Sequence, residues 1–218
     1  MHHDALSHVT TWVFDLDNTL YPPSARLFDQ IQIRMTDWVM EALAVPRDEA
    51  DRLRAHYWQT YGTTLAGLIA EHRVDPLPYL TYVHDIDFSV LSPDPALYDA
   101  IKALPGRVII YTNGAQPYAE QVLAARGLMG LFDAIYGVEH ASFQAKPNRA
   151  AFDQIVARDG FDPARAVMFE DDPRNLEVPK ALGMATVHVA PMAIQRPYID
   201  WYTADLAGFL KVFQRVHP

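Results

Sequence analysis

The sequence predicts an α/β protein, a parallel β-sheet with helices on both faces, split by an all-helical insertion. Three observations carry this expectation. Short apolar runs of strand length alternate with helix-length amphipathic segments through the second part of the chain. One further run of the same kind lies near the N-terminus, at Thr11-Trp12-Val13-Phe14. Between the two, from about Pro22 to Ser89, the periodicity is helical throughout and no strand-like run occurs. The expected boundaries are a core from 1–21 and 90–218 and a cap from 22–89.

Each element has a local reason. Thr11 to Phe14 is β-branched and aromatic, which suits a buried strand. Pro22-Pro23 marks a turn, and Ser24 is the expected N-cap of the next helix. Phe28, Ile31, Met35, Trp38, Val39 and Ala42 recur in steps that put them on one face of a helix. Pro46 ends it, Arg47 to Tyr61 reads as a second helix, and further helical pieces run from Leu65 to Arg73 and near Pro76 to His84. Beyond the insertion, helices are expected over Pro95–Leu104, Gln116–Arg126, from Pro147, over Pro173–Leu182 and near Leu206–Val216. Strands are expected at Val108–Tyr111, Ala134–Val138, Ala166–Phe169 and Thr186–Val189.

Composition narrows the function. Half of the 218 residues are hydrophobic, enough for a full core. Lys and Arg number 18 against 27 Asp and Glu, a net charge of −9 that argues against a nucleic-acid or anionic-membrane surface. A small anionic substrate stays compatible, because a few local cations and a metal reverse the field within one pocket. The absence of cysteine excludes disulfides, thiolate nucleophiles and Cys-ligated zinc. No apolar stretch approaches the roughly 18 to 20 residues that span a bilayer. Met1-His2-His3-Asp4 lacks a basic region followed by a long apolar one, so no secretory signal is expected and a cytoplasmic location is the default.

The chemistry concentrates where strands end. Asp15-Leu16-Asp17 follows the first strand, Thr112-Asn113-Gly114 a second and Glu170-Asp171-Asp172 a third. Residues two apart on an extended chain share a face, so Asp15 and Asp17 can point to one site. In open α/β sheets the ligand crevice lies outside the carboxyl ends of the strands, which brings all three signatures to one edge. Read singly, each has a structural explanation: a turn before Gly114, or acids at a helix N-terminus. Taken jointly they require a counter-cation, and magnesium suits an all-oxygen donor set.

Four motifs in order, Asp15-Leu16-Asp17-Asn18-Thr19, Thr112-Asn113, Lys146-Pro147 and Glu170-Asp171-Asp172-Pro173-Arg174-Asn175, resemble those of haloacid-dehalogenase-type phosphohydrolases with a helical cap. Within that superfamily the likeness is nearest to pyrimidine 5'-nucleotidases, and it runs from Asp15 to about Val189. The resemblance implies a Rossmann-like core and an inserted α-helical cap domain. It implies Asp15 as nucleophile forming an aspartyl-phosphate, and Asp17 as the group that protonates the leaving oxygen and then deprotonates water. Asp15, Asp171 and the Asp17 carbonyl would hold Mg2+, with Glu170 acting through a water. Thr112 and Asn113 would bind phosphoryl oxygens, and Lys146 would offset the charge of nucleophile and phosphate. The superfamily's dehalogenases lack the second aspartate, so Asp17 favours phosphoryl chemistry.

Substrate choice falls to the cap, rich in Trp38, Tyr57, Trp58, Tyr61, Tyr79 and Tyr82, which offer stacking surfaces for a base. Tyr21 and His84 are the candidate substrate contacts, and Arg174 and Asn175 candidates for the metal's surroundings. The expected partner is a small phosphorylated metabolite acted on by a monomer or a homodimer. A sugar-phosphate phosphatase or phosphomutase is the alternative enzyme, and a catalytically silent phosphoryl-binding module the alternative of another class.

Overall fold

A computed structural model describes residues 6–214. The N-terminal segment read for a secretory signal, and the end of the last expected helix, lie outside the described residues. Six strands, β1 (Thr11–Phe14), β2 (Arg107–Tyr111), β3 (Ala134–Tyr136), β4 (Ala166–Glu170), β5 (Ala185–Val189) and β6 (Trp201–Thr203), form one sheet in the order β3-β2-β1-β4-β5-β6. Every adjacent pair is parallel. The helices are α1 (Leu27–Leu43), α2 (Arg47–Tyr61), α3 (Thr64–His72), α4 (Pro76–Val83), α5 (Pro95–Lys102), α6 (Gln116–Arg126), α7 (Arg149–Asp159), α8 (Glu177–Ala181) and α9 (Leu206–Gln214).

Alternation along the strands divides the core into two layers. Trp12, Phe14, Val108, Ile110, Val167 and Phe169 face one side and pack with residues of α5, α6 and α9. Val13, Ile109, Tyr111, Ala166 and Met168 face the other, against Phe152 and Ile155 of α7. Phe14 stacks on Phe169 with ring centroids 4.6 Å apart, and both are fully buried. Each such ring contributes about 1.5–3 kcal/mol by leaving water, so register slippage between β1 and β4 is strongly opposed.

That register positions the chemistry. Phe14 pairs with Ile110 on one side and with Phe169 on the other. The next residues on the three central strands, Asp15, Tyr111 and Glu170, therefore emerge level with one another, and the Asp15 N–H continues the ladder to the Phe169 carbonyl at 2.9 Å. Two acids side by side follow from the register alone.

Between β1 and the rest of the sheet, α1 packs on α2 and α4, and α2 on α3. Ala50, Tyr57, Leu65, Leu68, Tyr79 and Val83 are buried in this helical block, and no strand interrupts it among the described residues. Thr63 and Asp75 cap α3 and α4 by accepting from the Ala66 and Leu77 N–H groups.

Several expectations are corrected. Ser24 is not an N-cap: it lies in a 3₁₀ turn, and Arg26 opens α1 in a left-handed conformation (φ 55°) with no side-chain cap. The helix expected from Pro147 starts at Arg149, with Asn148 as its cap, because the Lys146 backbone is drawn into the site. The segment Pro173–Leu182 divides into a 3₁₀ turn and the short α8, with Pro173 and Pro179 each removing a backbone donor. Strand β6 is absent from the sequence expectation; it has three residues at the sheet edge, too short to leave a periodic signal.

Candidate active site

Lys146 is the centre of the cluster. Its Nζ donates to Asp15 Oδ1 at 2.7 Å, to Glu170 Oε2 at 2.6 Å and to the Tyr111 carbonyl at 3.1 Å. Its three donors meet the three residues that the strand register places level. The side chain is only 1% exposed. Burial alone would lower its pKa, but the charges of Asp15 and Glu170 outweigh that and raise it, so the ammonium is permanent. Asn113 fixes the Lys146 backbone from both sides: its Oδ1 accepts from the Lys146 N–H at 2.8 Å and its Nδ2 donates to the Lys146 carbonyl at 3.2 Å.

Asp15 accepts a second hydrogen bond, from Thr19 Oγ1 at 3.0 Å, across one turn of chain. Asp17 carries two tyrosine hydroxyls on one oxygen. Tyr21 donates to Oδ1 at 2.6 Å, and Tyr118, from α6, donates to the same atom. Loss of hydration and then the Asp15 charge push the Asp17 carboxyl up to about 6 against these two donors. Its proton is thus available close to neutrality, as proton transfer to a leaving group needs.

Asp171 accepts from Asn18 Nδ2 at 3.2 Å, and its carbonyl accepts from His188 Nε2 at 2.9 Å. Burial and the Asp15 charge push its carboxyl up to about 7. Asn18 occupies the left-handed region (φ 57°), which asparagine tolerates better than most residues. Asp15, Glu170 and Asp171 each offer an oxygen within 4.8 Å of the others. Asp15, Asp17, Glu170 and Asp171 gather around the Lys146 ammonium, and the carboxyls of Asp17, Glu170 and Asp171 all sit above their ordinary range, through burial first and the Asp15 charge second. A hard divalent cation fits this all-oxygen set and its excess charge. Glu170 has both oxygens engaged, Oε2 by Lys146 and Oε1 by the Asp172 N–H at 3.2 Å. It thus holds Lys146 while belonging to the group of three acids that could hold an ion.

These groups form the floor of a cavity of about 530 Å³, a volume in the range of small-metabolite sites. Asp15, Asp17, Asn113, Lys146 and Asp171 line the sheet side. Phe28, Met35, Arg54, Trp58, Leu80 and His84 are among the residues lining the helical side. Two ring contacts join the sides. His84 stacks on Tyr118 (centroids 4.2 Å apart, planes at 10°), and the Arg174 guanidinium lies 3.6 Å over the Trp58 ring. Arg174 is also paired with Asp172 at 2.6 Å.

Not every sequence candidate reaches the cavity. Tyr21 is buried and spends its hydroxyl on Asp17, so it is a support of Asp17 and not a substrate contact. Thr112 is fully buried behind the wall, where its Oγ1 accepts from the Gly114 N–H at 2.9 Å. Trp38 packs against Tyr79 and Tyr82 as part of the helical core, and Tyr57 is buried with its hydroxyl against His72. His84, Trp58, Tyr79, Arg174 and Asn175 do line the cavity. Sequence reasoning misses Tyr118, His188 and Arg54, which have no local signal. It could have found Thr19 from its four-residue offset to Asp15.

Burial lowers the His84 pKa to about 4 from its ordinary 6.5, so the ring is neutral at pH 7. The unfolded chain binds the extra proton, and the associated stability, complete above pH 6.5, is lost as pH falls toward 4. By pH 4 the loss amounts to about 3 kcal/mol. Melting curves of the wild type and His84→Gln at pH 7 and pH 4.5 check this; the variant is expected to lose clearly less stability on acidification.

A family model for haloacid dehalogenase-like hydrolases matches residues 9–183. Phosphate metabolism protein 8 of Saccharomyces cerevisiae is 28% identical over 193 residues, 81% of this chain and 59% of that protein. The fructose-1-phosphate phosphatase YqaB of Escherichia coli is 33% identical over 95 residues, 43% of this chain and 50% of that protein. The chain thus spans less than two thirds of the length of either relative. The magnesium-bound hydrolase YfnB of Bacillus subtilis shares the fold, with a TM-score of 0.64 at 15% identity over 94% of this chain and 98% of that one. The matched span begins just before β1 and ends beyond the acid cluster after β4, and the chain belongs to the haloacid dehalogenase-like hydrolases.

Proposed function

We propose that this protein is a magnesium-dependent phosphomonoester hydrolase acting through Asp15, with a pyrimidine nucleoside 5'-monophosphate as its preferred substrate class. The observation that supports it most is the placing of Asp15 between Lys146 and the Asp171 carboxylate, with Asp17 on the same cavity floor. Asp15 attacks phosphorus and the bond to the leaving oxygen breaks, while Asp17 gives that oxygen its proton. Asp17 then takes a proton from water, whose oxygen attacks phosphorus, and the bond from Asp15 to phosphorus breaks to release phosphate. Tyr21 and Tyr118 hold one Asp17 oxygen, leaving the other for the proton. Lys146 holds Asp15 in place through its hydrogen bond to Oδ1 and offsets charge gathering on the transferred group. Asp15, Asp171 and the Asp17 carbonyl would hold Mg2+, which supplies further charge stabilisation of the phosphoryl oxygens when bound.

The cavity volume and its aromatic and apolar helical wall favour a substrate with a flat ring beyond the phosphate. A sugar-phosphate phosphatase is the second reading, favoured by the likeness to a fructose-1-phosphate phosphatase over part of the chain. A panel of nucleoside monophosphates and sugar phosphates, scored for phosphate release with magnesium and with chelator, separates them. Pyrimidine nucleotides are expected to be hydrolysed fastest, and chelation to remove activity. A uniform preference for sugar phosphates would overturn the substrate class, and full activity under chelation would overturn the metal requirement.

A further inference from the structure

The helical block reaches the proton donor through one side chain that the chemistry above does not use. Asp17 depends on Tyr118, whose hydroxyl donates to its Oδ1. The Tyr118 side chain, in α6, is fully buried, and two neighbours confine its ring. At Gly114 a Cβ atom would stand 2.8 Å from Tyr118 Cδ1 and 3.2 Å from Cε1. The ring is thus pressed against that backbone, and any side chain there would displace it. His84 covers a face of the ring, parallel to it at 10° with centroids 4.2 Å apart. Phe88 stands farther off, at 6.0 Å and tilted by 42°. His84 ends α4 as its C-cap residue, so the stack joins the helical block to the sheet side of the cavity.

What His84 offers there is a flat surface. Its ring is neutral at pH 7 and makes no hydrogen bond to another described residue. Stacked rings resist displacement of either member, which keeps the Tyr118 hydroxyl on Asp17. Tyr21 donates to the same Asp17 oxygen at 2.6 Å. Two donors on Oδ1 fix the plane of the carboxyl and leave Oδ2 to carry the proton. A proton donor works only from the right place, and a small misplacement of it is costly in rate.

We infer that His84 is a positioning residue for the Asp17 proton donor: its ring, stacked on Tyr118, holds that hydroxyl on Asp17 Oδ1 and keeps the other oxygen aimed at the leaving group. The inference rests on the reading of Asp17 as the acid of a phosphomonoester hydrolase and deepens it. The helical block then serves proton transfer as well as substrate choice.

Single-turnover release of the leaving alcohol, with enzyme in excess and magnesium present, reads the first half of the reaction alone. Two esters are compared: 4-nitrophenyl phosphate, whose phenolate leaves with little help from an acid, and benzyl phosphate, whose alkoxide needs the proton. Asp17→Asn is expected to slow benzyl phosphate about 10²–10⁴-fold more than the nitrophenyl ester. His84→Ala is expected to show the same selectivity on a smaller scale, with a loss about tenfold greater on benzyl phosphate. His84→Phe, which keeps a flat ring without its nitrogens, is expected to restore the benzyl rate to within about threefold of wild type. Melting temperatures taken alongside show which variants are folded. If His84→Ala is not, His84→Leu, which fills the space without a flat ring, takes its place in the comparison. A loss equal on the two esters, no loss at all, or a His84→Phe enzyme as slow as His84→Ala would overturn the inference. An Asp17→Asn enzyme slowed equally on both esters would instead overturn the acid role of Asp17, and the inference with it.

Discussion

Asp15→Asn is expected to lower phosphate release by about 10⁴-fold or more, as removal of a covalent nucleophile does in enzymes whose catalytic groups act as a unit, while leaving the protein folded. The two readouts part because Asp15 is both the attacking group and a source of strain. Its charge raises the carboxyls of Asp17, Glu170 and Asp171, so its removal relieves repulsion among three neighbours. Against this stand one lost charge pair to Lys146 and a hydrogen bond from Thr19 that an asparagine oxygen can still accept. Melting temperature in metal-free buffer is therefore expected to match or exceed that of the wild type, within about 1 kcal/mol of stability. Turnover within tenfold of wild type would remove the covalent mechanism. Loss of both activity and fold would mean that Asp15 is chiefly a structural partner of Lys146.

Lys146→Met is expected to fail in both respects. Methionine fills a similar volume, so the effect isolates the charge. With the ammonium gone, Glu170 is left fully buried beside Asp15 without its cation. Breaking a buried pair in this way costs about 3–5 kcal/mol, a fall in melting temperature on the order of 10 °C for a chain of this length. Glu170 already sits well above the ordinary carboxylate range, through burial first and the Asp15 charge second. A carboxyl raised in the folded state takes up a proton there before the unfolded chain does, so the deficit of the variant is expected to shrink as pH falls from 7 to 5. The double variant Lys146→Met/Glu170→Gln is expected to recover part of the stability and none of the activity. A double variant no more stable than the single one would show that the cost lies in packing and not in the stranded charge.

Much of this molecule is readable in one dimension. Period-two and period-3.6 patterns place β1, β2, β4 and β5 and all the longer helices, because each buries a face whose composition is local. Asp15, Asp17, Lys146 and Asp171 declare themselves because acids at the ends of apolar runs, and a lysine before a proline, are costly without a shared purpose. In two places where local signals misled, a distant partner had intervened. The helix after Pro147 starts late because Asn113 grips the Lys146 backbone from another strand end. Tyr21 turns away from the substrate space because Asp17 accepts its hydroxyl.

The chain's own order of residues determined the sheet, the helical insertion and the four acids with their lysine, since hydrophobic periodicity and charge are properties of neighbours in sequence. Tertiary structure alone decided which groups support them. Tyr118 reaches Asp17 across 101 residues, His188 reaches the Asp171 carbonyl across 17, and Arg54 is anchored by Thr36 across 18. Hydrogen bonds between elements depend on the angle at which helices and strands pack, and no local spacing encodes that angle. For the same reason the cation and anion count of the site could be read before its geometry.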